Sequence, residues 1–403
     1  MENILSSICE FVNGKICLDE LNESTYISTE NMLPNRGGIT KASSLPSTTY
    51  SRLFLKEDVL VSNIRPYFKK IWIAKFDGGC SNDVLVFRAK SHIDSKFLYY
   101  LLSDDSFFEY ATLTAKGTKM PRGDKIAIMN YEIPIFPLKE QQKISKTLSS
   151  LDEKIEINRK INENLEEQAK EIFKRWFVDY EFPNEEGQPY KSSGGEIVES
   201  ELGLIPKGWE KINLGDICIC ELGGTPSRKK NEYWNGNIPW INSGSVNLFR
   251  IIKANEMISE SGLKKSSTKL LPKKTTVIAI TGSTLGQVSL LEIDSCTNQS
   301  VVGVIPNKNL PYEFIYPYIK ANIDELLSHK TGGAQQHINS QNVKNLKVIV
   351  PNKKSLEQYT DLISPIYEMI SKNCFEIEYI SSIRDTLLPK LMTGEIDVSK
   401  IDI

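Results

Sequence analysis

The sequence predicts an α+β protein built twice over: two globular α/β modules separated by two long helices that pair as an antiparallel coiled coil with pseudo-twofold symmetry. Three observations carry this expectation. First, the text repeats at a steady offset: Asn158 and Asn373 stand 215 positions apart, Cys80 and Cys296 stand 216 apart, and Pro137 and Pro351 stand 214 apart. Such self-similarity outranks any local signal. Second, the words around these markers agree, with "CSND" (Cys80–Asp83) facing "CTNQ" (Cys296–Gln299) and "EIPIFP" (Glu132–Pro137) facing "LKVIVP" (Leu346–Pro351). Third, each copy closes with a heptad pattern. Because the order module, helix, module, helix is mirrored by pairing the helices head to tail, the antiparallel arrangement is the one that relates the copies by a twofold.

Residues 1–137 alternate short apolar runs with Gly, Pro and Asn punctuation, and Asp58–Ile64, Ile71–Phe76 and Asp83–Phe87 are the strand candidates. The period then changes. Apolar positions fall at Leu148, Leu151, Ile155, Asn158, Asn162, Leu165, Ala169, Ile172 and Trp176, alternating steps of three and four. A second seam, Ile363, Ile366, Ile370, Asn373, Ile377, Ile380, Arg384, Leu387 and Leu391, lies 215 residues later at every position. A helix over either seam is about 43 Å long at about 1.5 Å per residue, and neither buries its stripe alone. The predicted pairing residues are Leu151, Ile155, Asn158, Leu165 and Ile172 against Ile366, Ile370, Asn373, Ile380 and Leu387. A buried Asn in each seam sets register at some cost in stability. Pro365 predicts a bend or the helix's first turn after Ser364, and Gly394 fits its end.

These patterns divide the chain into a first module (1–137), a first helical spacer (138–182), a linker (183–208), a second module (209–351) and a second helical spacer (352–403). The stretch Phe182–Ser200 is polar, acidic and rich in Gly, Pro and Ser, as an exposed connector would be. A new unit starts near "IPKGW" (Ile205–Trp209), and Thr276–Ile280, Val288–Ile293 and Val301–Ile305 repeat the strand grammar.

With 403 residues, 40% hydrophobic and 25% charged, the chain is long enough for two or three cores without staples. Seven cysteines with no CxxC pair oppose a disulfide framework and a zinc ribbon. No apolar run approaches a membrane span and the start lacks a signal-like pattern, so a cytoplasmic location is expected. A net charge of −2 counts against nucleic acid globally. The distribution differs: residues 211–274 hold eleven Lys/Arg against five Asp/Glu, whereas 179–201 hold seven acids and one base, Lys191.

The stretch Gly223–Ile241, "GGTPSRKKNEYWNGNIPWI", sets a Gly pair beside Thr225, Ser227, Arg228, Lys229, Tyr233, Trp234 and Asn235, with Ser243 just beyond. Cations on such a loop suit phosphate oxygens and amides suit base edges, although many plain surface loops have this composition. "TGSTLGQ" (Thr281–Gln287), carrying Ser283 and Thr284, and "TGGAQQHI" (Thr331–Ile338), carrying Gln335, Gln336 and His337, are two further candidates; Gln bonds adenine bidentately. Catalysis finds no support. The three histidines, His92, His329 and His337, have no metal-ligand spacing, "TGSTLG" lacks the Lys-Ser/Thr of a phosphate loop, and Glu163, Glu166, Glu167 and Glu171 read as a solvated or partner-facing helix surface.

The words "IPKGW", "LGDI" (Leu214–Ile217), "GGTPSR", "YWNGNIPWI", "GSTLG" and "LLPKLMTGEI" (Leu387–Ile396), with "PLKEQQKI" (Pro137–Ile144) before the first heptad helix, closely resemble the DNA specificity subunit of type I restriction-modification enzymes. The resemblance covers nearly the whole chain. It implies two target-recognition domains, each reading half of a split, asymmetric site in double-stranded DNA, and a helical pair acting as a ruler. It also implies docking of two methyltransferase (M) subunits, which use S-adenosylmethionine to methylate adenine at N6, and of two restriction (R) subunits that use ATP and Mg. No cofactor is expected in this chain, and no catalytic residue. A flipped adenine needs a pocket that nothing here forms.

The first module departs from the second. It has "STENMLPNRGGITKA" (Ser28–Ala42) in place of a "GGTPSR" loop, and "SNIRPYFKK" (Ser62–Lys70) where the second has "AITGSTLGQ" (Ala279–Gln287). Its candidates, chosen by loop position and charge, are Arg36, Lys41, Arg65, Lys69 and the stretch Lys119 to Arg122. Two rival readings are a self-sufficient DNA-modifying enzyme and a structural coiled-coil adaptor whose globular ends bind protein.

Overall fold

The computed structural model describes residues 3–200, 203–331 and 336–399. It divides into two compact units, Met1–Glu156 with Glu378–Ile403, and Ile157–Ile377. Each unit therefore holds one module and half of each long helix.

In the first unit, β1 (Cys9–Phe11), β2 (Lys15–Cys17), β3 (Tyr26–Ile27), β4 (Tyr50–Phe54), β5 (Val59–Ser62), β6 (Ile71–Ile73), β7 (Gly78–Cys80) and β8 (Val84–Ala89) precede α1 (Ser95–Ser103), α2 (Asp105–Leu113) and α3 (Lys125–Met129). The long helix α4 (Leu138–Phe177) follows. Strands form two sheets, ordered β1-β8-β5-β6 and β2-β4-β7-β3. Continuous apolar strands mean a sheet buried on both faces. Accordingly Val59 and Val61 join the core under the helices, while Leu60 between them joins the core shared by the two sheets. Asp94, Asp104 and Asp124 cap the three short helices by accepting from backbone N–H groups of their first turns.

The second unit opens with a hairpin of β9 (Ile197–Ser200) and β10 (Gly203–Pro206), then β11 (Glu210–Asn213), α5 (Leu214–Ile217), β12 (Ile219–Leu222), β13 (Trp234–Ile241), β14 (Glu256–Ile258), α6 (Glu260–Lys264), β15 (Leu270–Leu271), β16 (Thr276–Ala279), β17 (Val288–Leu290), β18 (Ser295–Thr297) and β19 (Val301–Ile305). It closes with α7 (Tyr312–Ala321), α8 (Ile323–Ser328), α9 (Ser340–Asn345), β20 (Lys347–Val350) and the second long helix, α10 (Lys353–Met392). Its main sheet, β12-β19-β16-β17, has the same order as β1-β8-β5-β6. The second sheets share three strands and differ in the fourth: β2 lies outside β4 in the first unit, whereas β14 lies outside β13 in the second. The "GGTPSR" stretch lies between β12 and β13, where the first unit has β2 between β1 and β3.

Two expectations about the repeat and its connector change. Ser81 N donates to Ile27 O at 2.9 Å, and Asn298 N donates to Ile241 O at 3.0 Å. That register matches Cys80 with Thr297 and Gly79 with Cys296, one residue away from the pairing that cysteine identity suggests. The stretch after α4 is also more than an exposed connector. Phe182 is buried, stacked on Tyr190 at 4.5 Å and on Trp209 at 4.9 Å, and the β9–β10 hairpin orders the rest.

Each long helix has 40 residues, longer than its heptad seam. The extra turns face their own module: Ile144 enters the first core, and Leu356 and Tyr359 the second, so no partner-facing stripe marks them. Pro365 consequently lies inside α10 and does not mark its first turn. Gly394 takes φ +73 just past the helix end, as expected. Pairing is antiparallel within each unit. In the second, Asn158 donates to Glu376 at 2.8 Å, Asn373 to Asn162 at 2.9 Å, and Phe173 meets Tyr359. In the first, Arg384 donates to Asp152 at 2.8 Å and Lys143 to Val398 O at 3.2 Å. All seam residues from Leu148 to Trp176 and from Ile363 to Leu391 are buried or half-buried, the ten predicted pairing residues included.

Candidate nucleic-acid interface

At one end of the main sheet of the second unit, four loop segments lie side by side because antiparallel strands alternate their ends. Gly223 N donates to Val301 O at 3.0 Å and Gly224 N to Thr297 O at 2.8 Å, setting the "GGTPSR" loop against "TNQS" (Thr297–Ser300). Ile280 N donates to Ser300 O at 2.9 Å, and Ile338 N to Ile280 O at 3.0 Å, adding "TGSTLGQ" and the end of "TGGAQQHI". The Gly pair is required here: a Cβ on Gly223 would lie 2.2 Å from Asn298 O, and one on Gly224 2.3 Å from Ser267 Oγ. Thr225 Oγ1 donates to Gln299 Oε1 at 2.6 Å.

The first unit builds the same row with other side chains. Asn63 N donates to Asp83 O at 2.8 Å and Gly123 N to Asn63 O at 3.2 Å. Lys116 and Arg122 exchange backbone hydrogen bonds as Thr331 and His337 do, and Ile64 bridges Arg122 as Thr281 bridges His337. The loops proposed in the two modules thus occupy matching places.

Individual candidates fare differently. Ser227, Lys229, Asn235, Ser283 and Gln336 are exposed, and Ser243 and Thr284 half-exposed, on the loops of the second row and its added edge. His337 is exposed, its Nε2 3.4 Å from Thr331 Oγ1; Gln335 lies outside the described residues. Arg228 stacks 3.6 Å from the Trp234 ring centroid and gives Nη2 to Glu256 Oε1 at 3.0 Å, with Nη1 on the other carboxylate oxygen. This hydrogen bond holds the Glu256 carboxyl below its ordinary range and raises Arg228. Tyr233 is a correction: its ring is buried, and its hydroxyl accepts from Lys230 at 3.0 Å, so it braces the loop from within.

In the first row Lys119 is exposed, Arg122 pairs with Asp83 at 3.0 Å, and Lys41 stands 3.9 Å from Glu23. Arg36 is a second correction. Its Nε donates to Ser103 O at 2.6 Å and its Nη2 pairs with Asp105, which also binds Lys69 at 2.8 Å, so Arg36 ties its loop to the module's own body. Burial raises the Asp105 carboxyl but the hydrogen bonds and charges of Lys69 and Arg36 outweigh it, leaving the group below its ordinary range. Asn35, Arg36, Arg65 and Lys69 all have φ between 50° and 59°, a left-handed conformation that costs non-glycine residues about 1–3 kcal/mol at most and clusters at functional sites. Between Arg65 and Lys69 the exposed Tyr67 and Phe68 project. Sequence reasoning passed over both rings, as it did Asp83, Glu256, Asn298 and Gln299; the repeated word "CSND"/"CTNQ" was the available signal for Asp83, Asn298 and Gln299.

Behind the second row, the buried Arg250 side chain joins module to helix. It donates to Glu166 Oε2 on α4 at 2.7 Å and to Tyr316 OH at 2.9 Å, and its Nε lies 3.8 Å from Glu292 Oε1. Ser371 on α10 donates to Glu292 Oε2 at 2.8 Å. Glu166 is therefore no solvated helix residue. Burial raises its carboxyl, and Arg250 and Lys320 outweigh burial and hold it below its ordinary range. Among the described residues no His/Cys/Asp/Glu group could hold a metal ion, and no helix is long and apolar enough to cross a membrane.

The model of the type I restriction modification DNA specificity domain matches residues 4–167 and, again, 206–374. The chain is 31% identical over 317 residues to the type I restriction enzyme MjaIX specificity subunit of Methanocaldococcus jannaschii, covering 77% of this chain and 71% of that one. It is 25% identical to the HindI specificity subunit of Haemophilus influenzae, across 98% of this chain and 99% of its relative. The crystal structure of a type I restriction-modification S subunit from M. genitalium shares the fold, with a TM-score of 0.56 at 18% identity over 97% of this chain and 96% of that one.

Proposed function

Because the chain belongs to the family of type I restriction-modification DNA specificity subunits, we propose that its two modules each read one half of a bipartite, asymmetric site in double-stranded DNA. It is a non-catalytic subunit: it selects the address and leaves the chemistry to its partners. In this reading residues 1–137 and 209–351 are the two target-recognition domains, 138–182 and 352–403 the helical spacers, and 183–208 the linker.

The observation that carries the proposal is the pair of matching loop rows. Identical backbone hydrogen bonds join Lys116 to Arg122 in one copy and Thr331 to His337 in the other, so one scaffold carries different side chains at matching places. Phosphate contacts position a protein on DNA and side chains at base edges specify sequence. Lys119, Arg122, Arg65 and Lys69 serve the first half-site, with Lys41 beside them. Thr225, Ser227, Arg228, Lys229, Trp234, Asn235, Ser243, Ser283, Thr284, Gln335, Gln336 and His337 serve the second.

The helix pair docks two methyltransferase subunits, which methylate adenine at N6 with S-adenosylmethionine, and through them two restriction subunits that use ATP and Mg. A free flank supports this. In the second unit the module holds heptad positions b and e, through Glu166, Tyr367 and Ser371, while Ile157, Ile161, Leu362 and Met369 at positions c and g are exposed.

Incubating DNA and labelled S-adenosylmethionine with the chain alone, with its methyltransferase subunits, and with both separates the readings. Only the full mixture should methylate a defined site, with salt-sensitive binding. Transfer by the chain alone would mark it as an enzyme, and an assembled complex without DNA affinity would mark it as an adaptor.

A further inference from the structure

Three candidate cations of the two rows share a feature that the reading of DNA does not explain: each faces a carboxylate of its own module. Arg122 faces Asp83, Lys69 faces Asp105, and Arg228 faces Glu256. The last is the most constrained. Trp234 stacks on the Arg228 guanidinium from one side, fixing its plane, and Trp234 itself donates from Nε1 to Ser227 O at 3.3 Å. Glu256 occupies the Nη1 and Nη2 edge with both its oxygens. That two-nitrogen edge is the one a phosphate or a guanine O6/N7 pair would take. Glu256 begins β14, the edge strand that the first module lacks at this place, so the carboxylate comes from a different segment of the chain than the β12–β13 loop that carries the cation.

We propose that Glu256 is a specificity-determining residue: it masks Arg228 from phosphates met at random and yields it only where the cognate second half-site sets a two-oxygen or O6/N7 acceptor against the Trp234-held plane. This rests on the reading of the second module as a DNA reader. An exposed pair of this kind is weak enough to be exchanged for a well-placed acceptor, and strong enough to compete with a poorly placed one.

The test uses the assembled complex of the chain with its methyltransferase subunits, and binding of a cognate and a scrambled duplex measured across salt concentrations. The wild-type complex should prefer the cognate duplex; absence of that preference would sink the DNA-reading itself, whatever Glu256 does. With Glu256→Gln, affinity for the scrambled duplex should rise several-fold and the slope of log affinity against log salt should steepen by about 0.9, as for one added phosphate contact. The double variant Arg228→Ala with Glu256→Gln should abolish both changes. An unchanged slope in Glu256→Gln, a gain that persists without Arg228, or a loss confined to the cognate duplex would each overturn the mask; the last would make Glu256 a direct reader of a base.

Discussion

Asn373 donates to the amide oxygen of Asn162 at 2.9 Å, and each belongs to the seam of its own helix. Asn162 is buried, and its own NH2 reaches Ile370 O and Cys374 Sγ, both at 3.5 Å. An amide that accepts from the side chain of the facing helix and donates to that helix's backbone fixes which residues stand opposite. The Asn162→Leu variant should lose about 1–3 kcal/mol, since it strands the Asn373 amide. Replacing both by Leu should restore or exceed the original stability while loosening register. Urea unfolding of the three proteins measures this; a double variant weaker than the single one would contradict it.

The Arg250–Glu166 contact predicts an acid limb in stability. Because the folded Glu166 carboxyl sits below its unfolded value, the stabilisation is present above the unfolded value and is lost as pH falls through the folded one. Glu166→Gln should be less stable near neutrality and should lose less on acidification. Arg250→Ala, which strips a buried pair of one partner, should cost about 3–5 kcal/mol. Unfolding midpoints between pH 3 and pH 7 decide the matter, and parallel curves for wild type and Glu166→Gln would exclude this role.

Arg228→Ala and Gln336→Ala should affect the second half-site alone. Loss of a cation should weaken binding across sequences, while loss of a base-reading amide should relax selection at one position by about 1–3 kcal/mol. Competition with duplexes altered in one half-site at a time separates these effects. Equal damage at both half-sites would indicate a folding defect.

The duplication, both helices, their seams and three of the four strands in each main sheet were legible in the sequence, because heptad steps and buried strands leave periodic marks; the edge strands β1 and β12 were not. Val301–Ile305 matched its strand at both ends. What escaped has physical causes. The first turns of α4 and α10 face module cores, so their burial follows no seam. Cysteine identity placed the repeat one residue off, since hydrogen-bond register and not residue type defines equivalence. Glu166 looked like a surface acid because its partner Arg250 lies 84 positions away in the chain. Charge alone likewise chose Arg36, whose guanidinium turns inward, and Tyr233, whose ring is buried.

We propose that the paired helices set the distance between two half-sites, whose centres lie about one helical turn of DNA apart. Inserting one heptad after Lys160 and a matching one after Phe375 adds about 10 Å to both helices without rotating either seam. That length corresponds to about 3 base pairs at 3.4 Å each. Sequencing of methylated sites in DNA treated with the doubly lengthened chain and its methyltransferase subunits should return the same two half-sites with a longer non-contacted spacer; the original spacing, unchanged, would show that something other than these helices sets the distance.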